Sequence, residues 1–163
     1  MITIRPATVV DVPALGTLGA LLVRAHHDFD AQRFIAATPD TEEGYARFLA
    51  TQVGKPDAAI LVAAIEGVIV GYAWGGLEGY DYMALRGPAG ALYDIVVRPE
   101  SRGRGVGVAL LTAVLAALEA KGAPRIVLST ATQNVAAQRL FARVGFRPTM
   151  VEMTRESGAS AQK

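Results

Sequence analysis

The stretch Val96-Val97-Arg98-Pro99-Glu100-Ser101-Arg102-Gly103-Arg104-Gly105-Val106-Gly107 has the residue types of an anion cradle. A β-prone run stops at Pro99, arginines and glycines alternate from Arg102 to Gly105, and an apolar helical run follows. Glycine lets a backbone approach a ligand closely, and the unpaired N–H groups of a helix's first turn, backed by its dipole, favour phosphate. Arg98, Arg102 and Arg104 add local positive charge. Spacing separates three kinds of phosphate-binding turn. A dinucleotide fingerprint needs a third glycine at position 108, which is Val108, and an acid closing a second parallel strand about 20 residues on, which the chain does not offer. A Walker loop ends in Gly-Lys-Ser/Thr, and this turn has no lysine. What remains is Arg102-x-x-Gly105-x-Gly107.

That pattern resembles motif A of the GNAT N-acetyltransferase superfamily, the turn that holds the pyrophosphate of coenzyme A. Further along, Asn134-x-x-Ala137 followed by Leu140-Phe141-x-x-x-Gly145-Phe146 is similar to the family's second motif. The resemblance covers nearly the whole chain and is weakest over residues 24–58. It implies acetyl-CoA as co-substrate, bound by Arg102, Gly103, Arg104, Gly105, Val106 and Gly107 at the turn and by Asn134, Ala137, Phe141 and Arg143 in the second motif, with Asn134 on the pantetheine arm. It also implies a backbone N–H of Val96 or Val97, on a splayed fourth strand, as the donor to the thioester carbonyl. The implied reaction is direct transfer of acetyl to a primary amine in a ternary complex, with a small molecule preferred over a peptide or protein as acceptor. Absence of cysteine disfavours a covalent acyl-enzyme. One departure matters: many members carry Tyr where Phe141 stands, a hydroxyl thought to protonate the departing thiolate. Phe141 cannot donate a proton, and the next strand offers Ser129, Thr130 and Thr132 where some members carry an acid. A non-catalytic acyl-CoA-binding or sensing domain of the same fold is therefore the second reading.

Alkyl ammonium groups titrate near pKa 10.4, so an acceptor amine benefits from a base. Tyr93 and Asp94 are the nearest catalytic candidates, with Glu78 and Asp81 further off. Strand alternation sends Tyr93 and Asp94 to opposite faces, so only one looks at the acceptor. In the family's register the position nine before Arg102 faces substrate, which favours Tyr93. Asp94 carries the acid, and a bulge would change the register. Both stand. His26 and Phe29, in the segment between the first two helices, and Trp74, Tyr80 and Tyr82 are candidates to line an acceptor pocket suited to a cation. No metal site is expected, since the adjacent His26 and His27 rarely share one ion in good geometry and no cysteine supports them.

The elements that must position these residues follow from periodicity and punctuation. Residues 2–5 predict a strand. Thr8-Val9-Val10-Asp11 reads as a capping box before Val12, Leu15, Leu18 and Leu22, a helix to about Arg24. A second helix is predicted over 41–53. Strands over 59–65 and 68–76, separated by Glu66-Gly67, form a hairpin, and a strand over 91–97 follows. A helix over 105–121 precedes a strand over 125–130, a helix over 134–144 and a closing strand over 146–154. The fold class is α/β in layers, and the resemblance implies a mixed, mostly antiparallel sheet of about seven strands flanked by about four helices.

At 163 residues the chain makes a single domain over 1–155 with a frayed tail at 156–163. A hydrophobic content of 52% fills a core, and a net charge of +1 argues against nucleic-acid or anionic-membrane binding. The most apolar windows, 58–73 and 105–120, fall short of the roughly 18 uninterrupted apolar residues of a spanning helix. Zero cysteines and the absence of signal-peptide features in the first residues point to the cytoplasm. The Ala/Val-rich surface permits a homodimer.

Overall fold

Glu66 and Gly67, the two residues between the hairpin strands, take positive φ of 51° and 81° in the computed structural model, which describes residues 1–158. Two successive left-handed residues give a turn whose twist matches antiparallel strands, so β2 (Ala58–Ile65) folds straight back as β3 (Val68–Glu78). β1 (Ile2–Pro6) pairs antiparallel with β2, and β4 (Ala89–Val97) pairs antiparallel with β3. β5 (Ile126–Leu128) adds in parallel to β4, which gives the order β1-β2-β3-β4-β5.

Asp11 fixes the start of the first helix. Its carboxylate accepts from the Thr8 N–H at 2.8 Å and the Thr8 hydroxyl at 3.0 Å, and both Arg5 terminal nitrogens donate to it at 2.7 and 2.8 Å. After one tight turn at Val9–Asp11, α1 runs over Val12–Phe29 and α2 over Thr41–Ala50. These two cover one face of the sheet, where Leu15, Leu18 and Leu49 pack on Ile60, Val62, Tyr72 and Val96. On the other face α3 (Val106–Ala120) buries Val106, Leu110, Leu111, Val114 and Leu118 against Leu61, Ala63 and Leu92. The recurrence of these residues at helical spacing makes one buried stripe, and α4 (Val135–Arg143) closes on its flank through Phe141.

Several boundaries differ from those expected. α1 continues past Arg24 because nothing in Ala25-His26-His27-Asp28-Phe29 breaks a helix, so His26, His27 and Phe29 sit on α1 and not in the connection. The helix stops at Asp30, where the backbone turns extended and the Asp30 carboxylate accepts from the Gln32 and Arg33 N–H groups. α2 ends at Ala50, short of Val53. The sheet has five strands among the described residues, with β5 confined to Ile126–Leu128, and residues 146–154 form no ladder. Pro148, which lacks an N–H, interrupts that run, and Met150, Val151 and Met153 are exposed. Val9–Phe29 is long and apolar enough to span a membrane by composition, at mean hydropathy 1.3, though Leu15, Leu18 and Ala20 pack inside the core. The tail expected to fray lies outside the described residues from 159 on.

Asp11→Asn is expected to lower stability by about 1–2 kcal/mol by removing the ion pair and weakening the cap. The Arg5 guanidinium holds the Asp11 carboxyl well below the usual carboxylate range. Its contribution is therefore complete above the unfolded pKa of about 3.9 and is lost as pH falls below it. Urea unfolding of both proteins checks this: the stability gap present at neutral pH narrows with acid.

Candidate active site

The register between β3 and β4 slips by one residue in the middle of the sheet. Trp74 lies opposite Asp94, the next residue, Gly75, lies opposite Leu92, and Tyr93 is left over. This bulge breaks the alternation. Leu92 points to the α3 core, whereas Asp94 and Val96 both face α1 and α2. Tyr93 stays on the α1 and α2 side as well, tilted against Trp74 with ring centroids 4.4 Å apart. The two catalytic candidates that simple alternation separates thus line one cavity.

That cavity, of about 210 Å³, is walled by Leu22, Val23 and His26 of α1, Phe34 and Ile35 of the following loop, and Tyr45 of α2. Asp94 is only 7% exposed. Its Oδ2 accepts from the Tyr72 hydroxyl at 2.8 Å and the Tyr45 hydroxyl at 3.1 Å. Burial pushes the Asp94 carboxyl above the ordinary carboxylate range, against the two hydroxyls and nearby His26, which favour its ionised form. The same burial and the Asp94 charge push both tyrosines up, so they remain donors. Tyr93 is held differently: its hydroxyl donates to Glu78 at 2.7 Å, and burial together with that carboxylate moves it up to about 12. Glu78 also receives Arg86.

His26 Nδ1 lies 2.9 Å from the Leu22 carbonyl, which can only accept, so Nδ1 carries a proton and donates it there. His27 Nδ1 likewise donates to the Phe34 carbonyl at 2.9 Å, which ties the loop carrying Phe34 to the helix. Tyr45 reaches Asp94 because position 19 has no side chain. A Cβ on Gly19 would stand 2.0 Å from the Tyr45 ring.

At the far end of β4 lies the glycine-rich turn. A turn at Pro99–Ser101 leads through Gly103 and Gly105, both at positive φ (72° and 83°), into α3. The Gly105 carbonyl takes the first helical bond, from the Ala109 N–H at 3.0 Å, so the N–H groups of Val106, Gly107 and Val108 open the helix without intrahelical partners. Nothing lies within 4 Å of where a Cβ on Gly103 or Gly105 would be. This crest of donors, flanked by Arg102 and Arg104, fits a diphosphate.

Pairing of β4 with β5 ends at Leu92. The Arg98 N–H donates to Val70 on β3 at 2.8 Å, and alternation places the Val96 N–H on that same side. Ile95 and Val97 therefore turn their N–H and C=O groups to the opened side. The Val97 carbonyl is found there, accepting from Arg102 Nε at 3.1 Å. Of the two backbone donors expected, Val97 faces the opening and Val96 belongs to the β3 ladder.

The remaining residues fall in other settings. Asn134 caps α4, its Oδ1 accepting from the Ala137 N–H at 3.2 Å, which leaves its Nδ2 without a partner among the described residues. Phe141 is core, edge-on to Phe146, and Ala137 packs beside it. Arg143 is exposed in the last turn of α4. Phe29 touches the edge of the His26 ring. Tyr80 and Tyr82 stack on one another at 6.0 Å on an exposed loop and do not line the cavity. Tyr45, Tyr72 and Phe34 belong to the site and were not singled out from the sequence, where no local motif marks them.

A glycine-rich turn of unpartnered N–H groups and a buried carboxylate thus lie along one bulged strand. The chain belongs to the acetyltransferase (GNAT) family, whose model matches residues 22–146. It is similar to a mycothiol acetyltransferase from Thermobispora bispora, 36% identical over 100 residues, a match covering 59% of this chain and 32% of that protein. The chain thus aligns with about a third of that relative's length. An aminoglycoside N-acetyltransferase solved with coenzyme A shares the fold at TM-score 0.73 and 19% identity, over 98% of this chain and 96% of that one. A transcriptional regulator from Bacillus halodurans shares it at TM-score 0.73 and 20% identity, over 96% and 99%.

Gly19→Ala is expected to push Tyr45 off Asp94 and to cost about 1–3 kcal/mol of stability; an unfolding midpoint equal to wild type contradicts that packing. Arg102→Ala combined with Gly105→Val, a branched residue at positive φ, is expected to weaken coenzyme A binding at least about 100-fold by calorimetry while far-UV circular dichroism is retained.

Proposed function

We propose that the chain is an N-acetyltransferase that moves acetyl from acetyl-CoA directly to the primary amine of a small molecule, with Asp94 as general base. The observation that carries this reading is a buried carboxylate, fixed by two tyrosine hydroxyls, at the inner wall of an apolar cavity beside the opened strand. Acetyl-CoA supplies the acetyl group as a thioester. The α3 cradle with Arg102 and Arg104 would hold its diphosphate, and the Val97 N–H would donate to the thioester carbonyl oxygen. Asp94, with its pKa raised, takes the proton that the amine nitrogen loses as the C–N bond forms and the C–S bond breaks. Phe141 has no proton to give the departing thiolate, which leaves water to supply it. The apolar walls from Leu22, Val23, Phe34 and Ile35 suit the carbon skeleton of a small acceptor.

The missing hydroxyl at Phe141 favours a second reading, a non-catalytic acyl-CoA sensor. Turnover separates the two. Acetyl-CoA at about 100 times its dissociation constant is expected to stabilise the protein by about 2.7 kcal/mol in either case. Release of free thiol with a panel of primary amines is expected only of the enzyme. Asp94→Asn keeps an oxygen for both tyrosines but cannot accept a proton, so kcat/KM is expected to fall by about 100- to 1000-fold with acetyl-CoA affinity retained. The acid limb of the wild-type pH profile, set above the ordinary carboxylate range by Asp94 burial, is expected to vanish in that variant. Tyr93→Phe is expected to keep the wild-type profile shape. An active Asp94→Asn enzyme with an unchanged acid limb refutes the assignment.

A further inference from the structure

The Tyr93 ring has a cavity on each side. Beyond the one that holds Asp94 lies a second, of about 180 Å³, lined by Gln52, Asp57, Trp74, Gly76, Leu77 and the same Tyr93. It is open to solvent between the end of α2 and the edge of the β2–β3 hairpin. The partition between the two cavities is aromatic, since Tyr93 leans on Trp74 and Trp74 is edge-on to Phe48 at 5.2 Å. Three carboxylates or their neighbours meet at this partition, and two are already engaged. Asp94 belongs to the first cavity, and Glu78 holds both the Tyr93 hydroxyl and Arg86. Asp57 is different: its carboxylate makes no hydrogen bond or ion pair with any described residue.

We infer that the second cavity is a subsite for a second positive charge on the acceptor, taken by Asp57 and the Trp74–Tyr93 face, so that the preferred acceptors are diamines or larger amines with two cationic groups. This rests on the amine-acetyltransferase reading above. An aromatic face and an unpaired carboxylate together select a cation over a neutral donor. With the reacting nitrogen at Asp94, the distal ammonium beyond Tyr93 pins the carbon chain at both ends. Two ammonium groups of the protein stand nearby: Lys55 Nζ donates to Gln52 Oε1 at 3.3 Å, and Lys121 Nζ donates to the Pro56 carbonyl, next to Asp57, at 2.9 Å. Both Lys55 and Asp57 are exposed, so the like charge of Lys55 opposes the distal ammonium and moderates the gain.

The test compares linear diamines, from propanediamine to octanediamine, with monoamines of equal length. The expected result is a diamine-to-monoamine ratio in kcat/KM of about fivefold to tenfold, peaking at an intermediate length and carried mainly by KM. Asp57→Asn is expected to reduce that ratio towards one, and Lys55→Met to raise it, opposite signs that a general loss of structure would not give. Calorimetric binding of the same amines to the protein's complex with coenzyme A is expected to show the same ordering without turnover. Equal ratios in all three proteins, or an Asp57→Asn loss shared alike by both amine classes, overturn the subsite and leave the acetyltransferase reading standing. Failure of every amine to release thiol overturns both.

Discussion

Tyr93 has no partner on β3, and the site depends on that single surplus residue. Without it, Asp94 would follow Leu92 onto the α3 face, among Leu110, Val114 and Leu118, where no hydroxyl waits for a carboxylate. An unpaired carboxylate in such a core is strongly unfavourable. The same slip lets Ile95 and Val97 turn to the α3 side, where they fill the core that Asp94 avoids. Parallel pairing with β5 ends one residue before the bulge, so the backbone groups of Ile95 and Val97 are left facing an opening. One local irregularity thereby decides where the acid points, which hydrophobes close the core and which backbone groups face the opening.

The cost of holding Asp94 buried falls on three other elements. Tyr72 comes from β3, Tyr45 from α2, and Tyr45 arrives only because Gly19 of α1 leaves it room. A buried carboxylate with two hydroxyl donors is tolerable, and with one removed it becomes a destabilising charge. Asp94 is thus the polar tie between the sheet and the helical pair that covers it. His27 extends that tie, since its hold on the Phe34 carbonyl sets the loop that walls the cavity.

Local chemistry was legible in the sequence and long-range chemistry was not. The turn before α3 could be read because its glycines, arginines and helix start lie within one short stretch of chain, and the hairpin because Glu66-Gly67 stands between two β-prone runs. The bulge was hidden for a physical reason: both faces of the central strand are covered, so Leu92, Ile95, Val96 and Val97 are all apolar and no alternation reveals which face each takes. No local motif marks Tyr45 and Tyr72, because their partner lies 49 and 22 residues away. The length of α1 was underestimated because His26 and His27 read as loop residues, whereas His26 is bonded to its own helix. The expected closing strand failed where Pro148 interrupts it.

In the reaction proposed for this chain, a site with a candidate base and no acid agrees with two pKa values. An alkyl ammonium near pKa 10.4 holds its proton at neutral pH, whereas a thiol near pKa 8.5 departs readily as the thiolate. The difficult proton is the one coming off nitrogen, and the buried carboxylate stands on that side. The easy proton is the one returning to sulfur, which water can supply. Phe141 is therefore free to serve packing, where it meets Phe146 and the α3 stripe. Asn134 shows the same economy: its oxygen caps α4, and its amide nitrogen has no partner among the described residues. In this chain the second motif docks α4 onto α3, with Leu140 lying against Gly107 in the first turn of α3.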